Sequence, residues 1–179
     1  MKHNLEQTTA LLARTPPVLD ALLRNLSGEW TQRNEGEGTW SASDVIGHLI
    51  HAEYADWMPR LRIILSSGAN KTFAPFDRWG FVHETQSKTL EQLLDEFAEI
   101  RLKNLNELRT LNLTQKDFDL HGLHPALGSV TLGQLLATWT VHDLTHLHQI
   151  TRIMAHQYRE AVGPWHSHLG VLQCNGHSN

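Results

Sequence analysis

Cysteine is almost missing from this chain. Cys174 is the only one in 179 residues, so no internal disulfide can form and nothing points to an oxidising compartment. No apolar run approaches the ~20 residues that span a bilayer. The opening stretch from Met1 to Thr9 lacks the apolar segment of a secretory signal. The cytoplasm is therefore the expected location. Neither charge sign forms a block: 15 Lys and Arg face 19 Asp and Glu, for a formal net charge of −4. That balance leaves no basic stripe for a nucleic-acid partner, and no membrane partner is expected either. Internal repeats, low-complexity tracts and interdomain linkers are absent, and so is clean β-alternation. One domain over residues 1–179 is expected, long enough to bury roughly 70% of its unfolded surface.

What the chain does have is histidine and tryptophan, 13 and 6 respectively, and four helical patterns. The first spans about Leu5 to Leu26, with Leu12, Leu19, Leu22 and Leu23 on its apolar face. Pro16-Pro17 kink it, or restart it with Thr15 as N-cap. The second opens at Ser41 with Asp44 at the third helical position, close to a capping box, and ends near Ser66-Ser67-Gly68. Pro59 inside it predicts a kink. Thr89-Leu90-Glu91-Gln92 reads as the capping box of the third, and the fourth runs from Thr131 to about Tyr158. Four such helices imply an all-α four-helix bundle. The long connection between the second and third, residues 69–88, can carry the chain back to start a parallel helix. The tail after Gly163-Pro164 reads as irregular, so its histidines (His166, His168 and His177) carry little weight.

Position separates the remaining histidines. At about 100° per residue, His142 and His146 lie about 40° apart, one turn from each other, inside the stripe of Leu135, Trp139, Ile150 and Ile153. His148 falls about 240° from His142, on the solvent side. An i, i+4 pair of imidazoles can chelate one metal ion, but two histidines alone make a weak site. A third ligand should come from a facing helix. His48, flanked by Val45, Leu49 and Ala52, is the best candidate, and His51, close by on the helix wheel, could take its place. The plainer reading is that such histidines are core residues with hydrogen-bond partners, since a buried polar ring without one is costly. The tryptophans are most simply core and cap residues; Trp139, one turn from His142, could line a pocket.

The segments Trp40-Ser41-Ala42-Ser43-Asp44-Val45-Ile46-Gly47-His48-Leu49 and His142-x-x-x-His146-x-x-Gln149-Ile150 resemble the two signature regions of the DinB-like superfamily. Thr131-Leu132-Gly133-Gln134-Leu135-Leu136 at the head of the fourth helix adds to the likeness, which covers nearly the whole chain. The resemblance implies an up-down-down-up bundle, frequent homodimers, and a divalent metal held by one histidine of the second helix and the pair of the fourth. Here these are His48, His142 and His146. It does not settle a reaction, because relatives include thiol-dependent transferases, thiol-dependent isomerases and hydrolases.

Three functions therefore compete. A metal-dependent transferase would hold a low-molecular-weight thiol as thiolate against an electrophile, with zinc, nickel or a similar ion as cofactor. A hydrolase would activate water at the same open position. A non-catalytic metal-binding or small-molecule-binding stress protein would do neither. A basic, cofactor-sized groove favours the thiol, and a tight apolar cavity favours sequestration. Glu53 and Asp143 are candidates for supporting or proton-transfer groups, or else solvated helix-edge charges. Arg101 could meet an anionic substrate or pair with Glu53. Because ligand imidazoles must be neutral, metal binding should weaken below pH ~6.5.

Overall fold

A computed structural model of the chain describes residues 4–174, the side chains of residues 83 and 84 apart; the readings at Met1–His3 and His177 lie outside it. The four expected helical segments are present and form a four-helix bundle, with one of them divided and another distorted.

The first segment is two helices, α1 (Leu5–Leu12) and α2 (Thr15–Leu23). Pro16 and Pro17 sit in the first turn of α2, where a missing N–H costs nothing, so the prolines restart the helix. The cap position is Arg14 rather than Thr15, whose hydroxyl is used elsewhere. A short α3 (Gly28–Thr31) leads into α4 (Ala42–Ala52), where Ser41 and Asp44 close a full capping box. A π-helical turn over Glu53–Trp57 then joins α4 to α5 (Met58–Leu65). Pro59 cannot donate to the carbonyl of Ala55, and its ring crowds that carbonyl. The widened turn just before it absorbs both problems.

Residues 66–89 carry only the short α6 (Val82–Thr85). Thr89 with Gln92 and Thr131 with Gln134 form the capping boxes of α7 (Leu90–Thr110) and α8 (Leu132–His156). Between these two helices lies an antiparallel hairpin, β1 (His121–His124) and β2 (Gly128–Thr131), which the absence of β-alternation did not foresee. Its turn needs the left-handed Gly128, at φ 76°. The extended segment at Phe73 bonds to Leu123, so the long connection leans on the hairpin. A Cβ on Gly122 would lie 2.5 Å from the Phe73 ring, so the two backbones can close only over glycine. The tail adds 3₁₀ turns at Gly163–His168 and Gly170–Leu172. Among the described residues, no helix is long and apolar enough to cross a membrane.

The core has two apolar parts. One gathers Leu12, Trp57, Leu61, Leu105, Leu108, Leu136 and Trp139; the other gathers Leu19, Leu23, Val45, Leu49, Leu93, Phe97, Ile150 and Ile153. Along α4 and the π-helical turn that follows it, α7 and α8, a set of polar residues lies buried between these parts: His48 and Glu53, Arg101 and Asn104, Asp143 and His146. A polar layer thus crosses the middle of the bundle.

Candidate metal centre

One half of that layer is an ion network. The Arg101 guanidinium donates through Nε to Glu53 Oε1 at 3.0 Å, and through both terminal nitrogens to Asp143 at 2.6 and 3.0 Å. It also donates to the Leu12 carbonyl at 2.8 Å, which ties in the end of α1. Asn104 Nδ2 and Trp139 Nε1 donate to Glu53 at 2.9 Å each, and the Thr15 hydroxyl donates to Asp143 at 2.5 Å. Burial pushes the Glu53 carboxyl up against the pull of Arg101, while the two carboxylates outweigh burial and hold Arg101 charged. Glu53 and Asp143 are thus not solvated edge charges, being only 1% and 2% exposed. Of the two readings for Arg101, the structure has the pairing with Glu53, extended to Asp143.

The other half is the histidines. α4 supplies His48 and α8 supplies His142 and His146, and one nitrogen from each ring lies within 4.8 Å of the others. His142 Nε2 stands 3.1 Å from both His48 Nε2 and His146 Nε2. His51 is not in this group: its ring lies 5.1 Å from that of Phe76, where a Cβ on Gly80 would strike it. His148 is exposed, in keeping with its helical phase.

Aromatic rings fix these imidazoles. Trp40 lies 4.8 Å from the His48 ring and stacks on His146 at 6.3 Å, while Trp57 meets His142 edge-on at 5.0 Å. Trp139 instead stacks on Trp57 and faces the ion network. Gln149 Oε1 is 2.8 Å from His146 Nδ1, which sets the tautomer with the proton on Nδ1 and the Nε2 lone pair toward the other two rings. Trp57 carried no sequence signal beyond its apolar character. Gln149, three residues after His146 and so on the same helix face, could have been found from spacing.

The arrangement fits a cation. Three Nε2 atoms meet, and one N–H can point at only one acceptor, so protons alone cannot satisfy them all. An ion 2.0–2.1 Å from imidazole nitrogens in tetrahedral geometry sets them about 3.3 Å apart, close to the 3.1 Å at which His142 Nε2 stands from each of the other two. The rings are also held neutral. Burial drives His48 down to about 3, helped by His146 and Arg78, and burial lowers His142 and His146 as well. Protons should therefore compete with a metal only well below the pH ~6.5 expected from ordinary imidazoles.

His48 and His142 open onto a cavity of about 430 Å³, with His146 sealed behind them at 0% exposure. Trp57, Phe73, Phe76, Leu127 and Leu135 form its apolar walls. Its charged groups are Asp56, Arg60 and Arg78, two cations to one anion. Asp56 and Arg60 belong to the site and escaped sequence reading, since Asp56 lies in the π-helical turn and Arg60 one turn beyond it on α5. A larger cavity of about 620 Å³ lies between Gln32, Ser41, Thr85 and Lys88, but it touches none of the three histidines.

A family model described as the DinB superfamily matches residues 11–150, which include all three histidines. No curated protein matches the chain. Among solved structures, YfiT from Bacillus subtilis superposes with a TM-score of 0.71 at 17% identity, covering 88% of this chain and 87% of its own. That protein is described as a probable metal-dependent hydrolase with an unusual four-helix bundle topology.

Proposed function

Because the chain belongs to the DinB superfamily, we propose that it is a metal-dependent enzyme for small molecules that uses a low-molecular-weight thiol as nucleophile. One observation carries this reading: two of the three gathered imidazoles open onto a cofactor-sized cavity whose charged lining is net basic. A divalent ion suited to imidazole, such as zinc or nickel, would supply Lewis acidity there.

The chain's own residues do the rest. His48, His142 and His146 would hold the ion, and Gln149 orients His146 by accepting from its Nδ1–H. Trp40 and Trp57 lock the rings against rotation. Phe73, Phe76 and Leu127 receive the apolar part of a substrate and exclude water, while Arg78 and the Asp56–Arg60 ion pair form the polar side that would meet anionic groups, including a carboxylate on the thiol. Arg101 takes no part in binding, because it is buried and saturated by its own carboxylates.

Hydrolysis is the second reading, favoured by what is said of YfiT, which shares the bundle. The Co²⁺-loaded protein separates the two. A sulfur-to-metal absorption band on adding a small thiol, lost in His142→Ala together with thiol consumption by an electrophile, supports the transferase. Ester or amide cleavage without any thiol response supports the hydrolase. Metal uptake with neither response points to a non-catalytic binding protein.

A further inference from the structure

The geometry points to Asp56 as the catalytic proton acceptor of this cavity, taking the proton from the nucleophile and returning it to the leaving group. The inference rests on the functional reading above. Among the described residues, Asp56 is the only carboxylate that lines the cavity with His48 and His142. Glu53 and Asp143, the acids that sequence singled out, lie in the buried ion network and line no part of it.

The other cavity residues cannot serve. The triad's Nε2 atoms face one another. His124 accepts backbone N–H groups of Ala126 and Leu127 at Nδ1, so its proton sits on Nε2 and it can only donate. Gln134, Thr138 and the two arginines are not bases at neutral pH. Asp56 alone remains.

Its setting suits the task. The π-helical turn of Glu53–Trp57 places Glu53 in the network while Asp56 and Trp57 reach the cavity, and such turns recur at functional sites. Arg60 Nε lies 2.5 Å from Asp56 Oδ1, yet Oδ1 has no aligned hydrogen bond, so the pair is held by charge without a fixed proton position. The charged and titratable groups around it are Arg60 on α5, His51 on α4, and His48, His142, Arg78 and His124 across the cavity. Burial pushes the carboxyl up to about 6, against the pull of Arg60 and His51. A base of that strength both takes and releases protons near neutrality.

The step balances. The S–H bond of the thiol breaks, its proton passes to a carboxylate oxygen of Asp56, and its electron pair stays on sulfur. The carbon–sulfur bond then forms as the bond to the leaving group breaks, and Asp56 returns the proton to that group. If water is the nucleophile, the same transfer applies to its O–H bond.

The metal-loaded protein provides the test, with Asp56→Asn and Asp56→Glu as variants. Carbon-13 carboxyl NMR follows Asp56, assigned by the signal that Asp56→Asn removes. A midpoint within about one pH unit of 6 supports the proposal, and one below about 4 overturns it. Asp56→Asn should keep its metal content and nearly its KM while kcat falls about 10²–10⁴-fold and the acid limb of the pH profile disappears. Asp56→Glu should restore that limb. A limb that persists in Asp56→Asn overturns the assignment, because a merely structural loss would leave the profile in place. If the wild type turns over no thiol, water or electrophile at all, the functional reading fails. The NMR midpoint then decides for or against Asp56 by the same limits.

Discussion

Two polar clusters share the middle layer of the bundle, and they differ in whether their atoms are satisfied. In the Glu53–Arg101–Asp143 network each carboxylate oxygen has a donor, and Arg101 uses all three nitrogens. The cluster closes on itself and asks for no ligand. In the histidine triad three Nε2 atoms converge with too few protons to satisfy them. Burial alone distinguishes little here, since His48 and His146 are as buried as the ion network and only His142 is partly exposed. A buried polar group that is complete maintains the fold, whereas one that is incomplete in a fixed geometry marks a binding site.

The contrast can be broken by mutation. Arg101→Met leaves two carboxylates buried without their cation and should destabilise the protein by about 3–5 kcal/mol in urea unfolding. Metal bound per folded chain should be unchanged, and a selective loss of metal without loss of stability would merge the two clusters. His146→Ala should do the reverse, lowering metal affinity by about 100-fold or more while the network remains. Isothermal titration after chelation measures it, and affinity equal to wild type would remove His146 from the site. Gln149→Leu sharpens the comparison, because the orienting partner of a ligand is typically worth about 10–100-fold in affinity.

Acid pH should act on the triad through the apo protein. His48 has a folded pKa depressed to about 3. Below about 6.5 the unfolded chain binds a proton that the folded chain does not, so stability falls as pH falls. For His48 that amounts to about 1 kcal/mol between pH 6.5 and 5.5. Urea unfolding of chelated protein at several pH values should show the decline, and a flat or rising profile would contradict the burial argument. The smallest effect belongs to His148→Ala, which is expected to change stability by no more than ~0.5 kcal/mol and metal binding not at all.

Much of this was legible in the sequence wherever the cause is local. Capping boxes lie within four residues, so Ser41 and Thr89 announced two helix starts, and the structure adds a third such box at Thr131. Helical phase separated His142 and His146 from His148. What escaped depends on partners far along the chain. Glu53 and Asp143 could be placed in the interior only once Arg101, on another helix, was known to meet both. His48 was preferred over His51 for its apolar flanks and the family likeness, while helical phase alone left both open. The hairpin has strands of only four residues, and the buried position of β1 is Gly122 rather than an apolar side chain, so hydrophobic periodicity could not reveal it. Asp56 stayed hidden because the π-helical turn shifts the phase on which an ordinary helical wheel depends.

Metal stoichiometry tests the central claim most directly. The purified protein is stripped with a chelator, reloaded with Zn²⁺ or Ni²⁺, and analysed for metal beside His146→Ala and His148→Ala. The account predicts about one ion per chain for wild type and His148→Ala, and little or none for His146→Ala. Failure of the wild type to take up any divalent ion, or equal uptake by all three proteins, would contradict it.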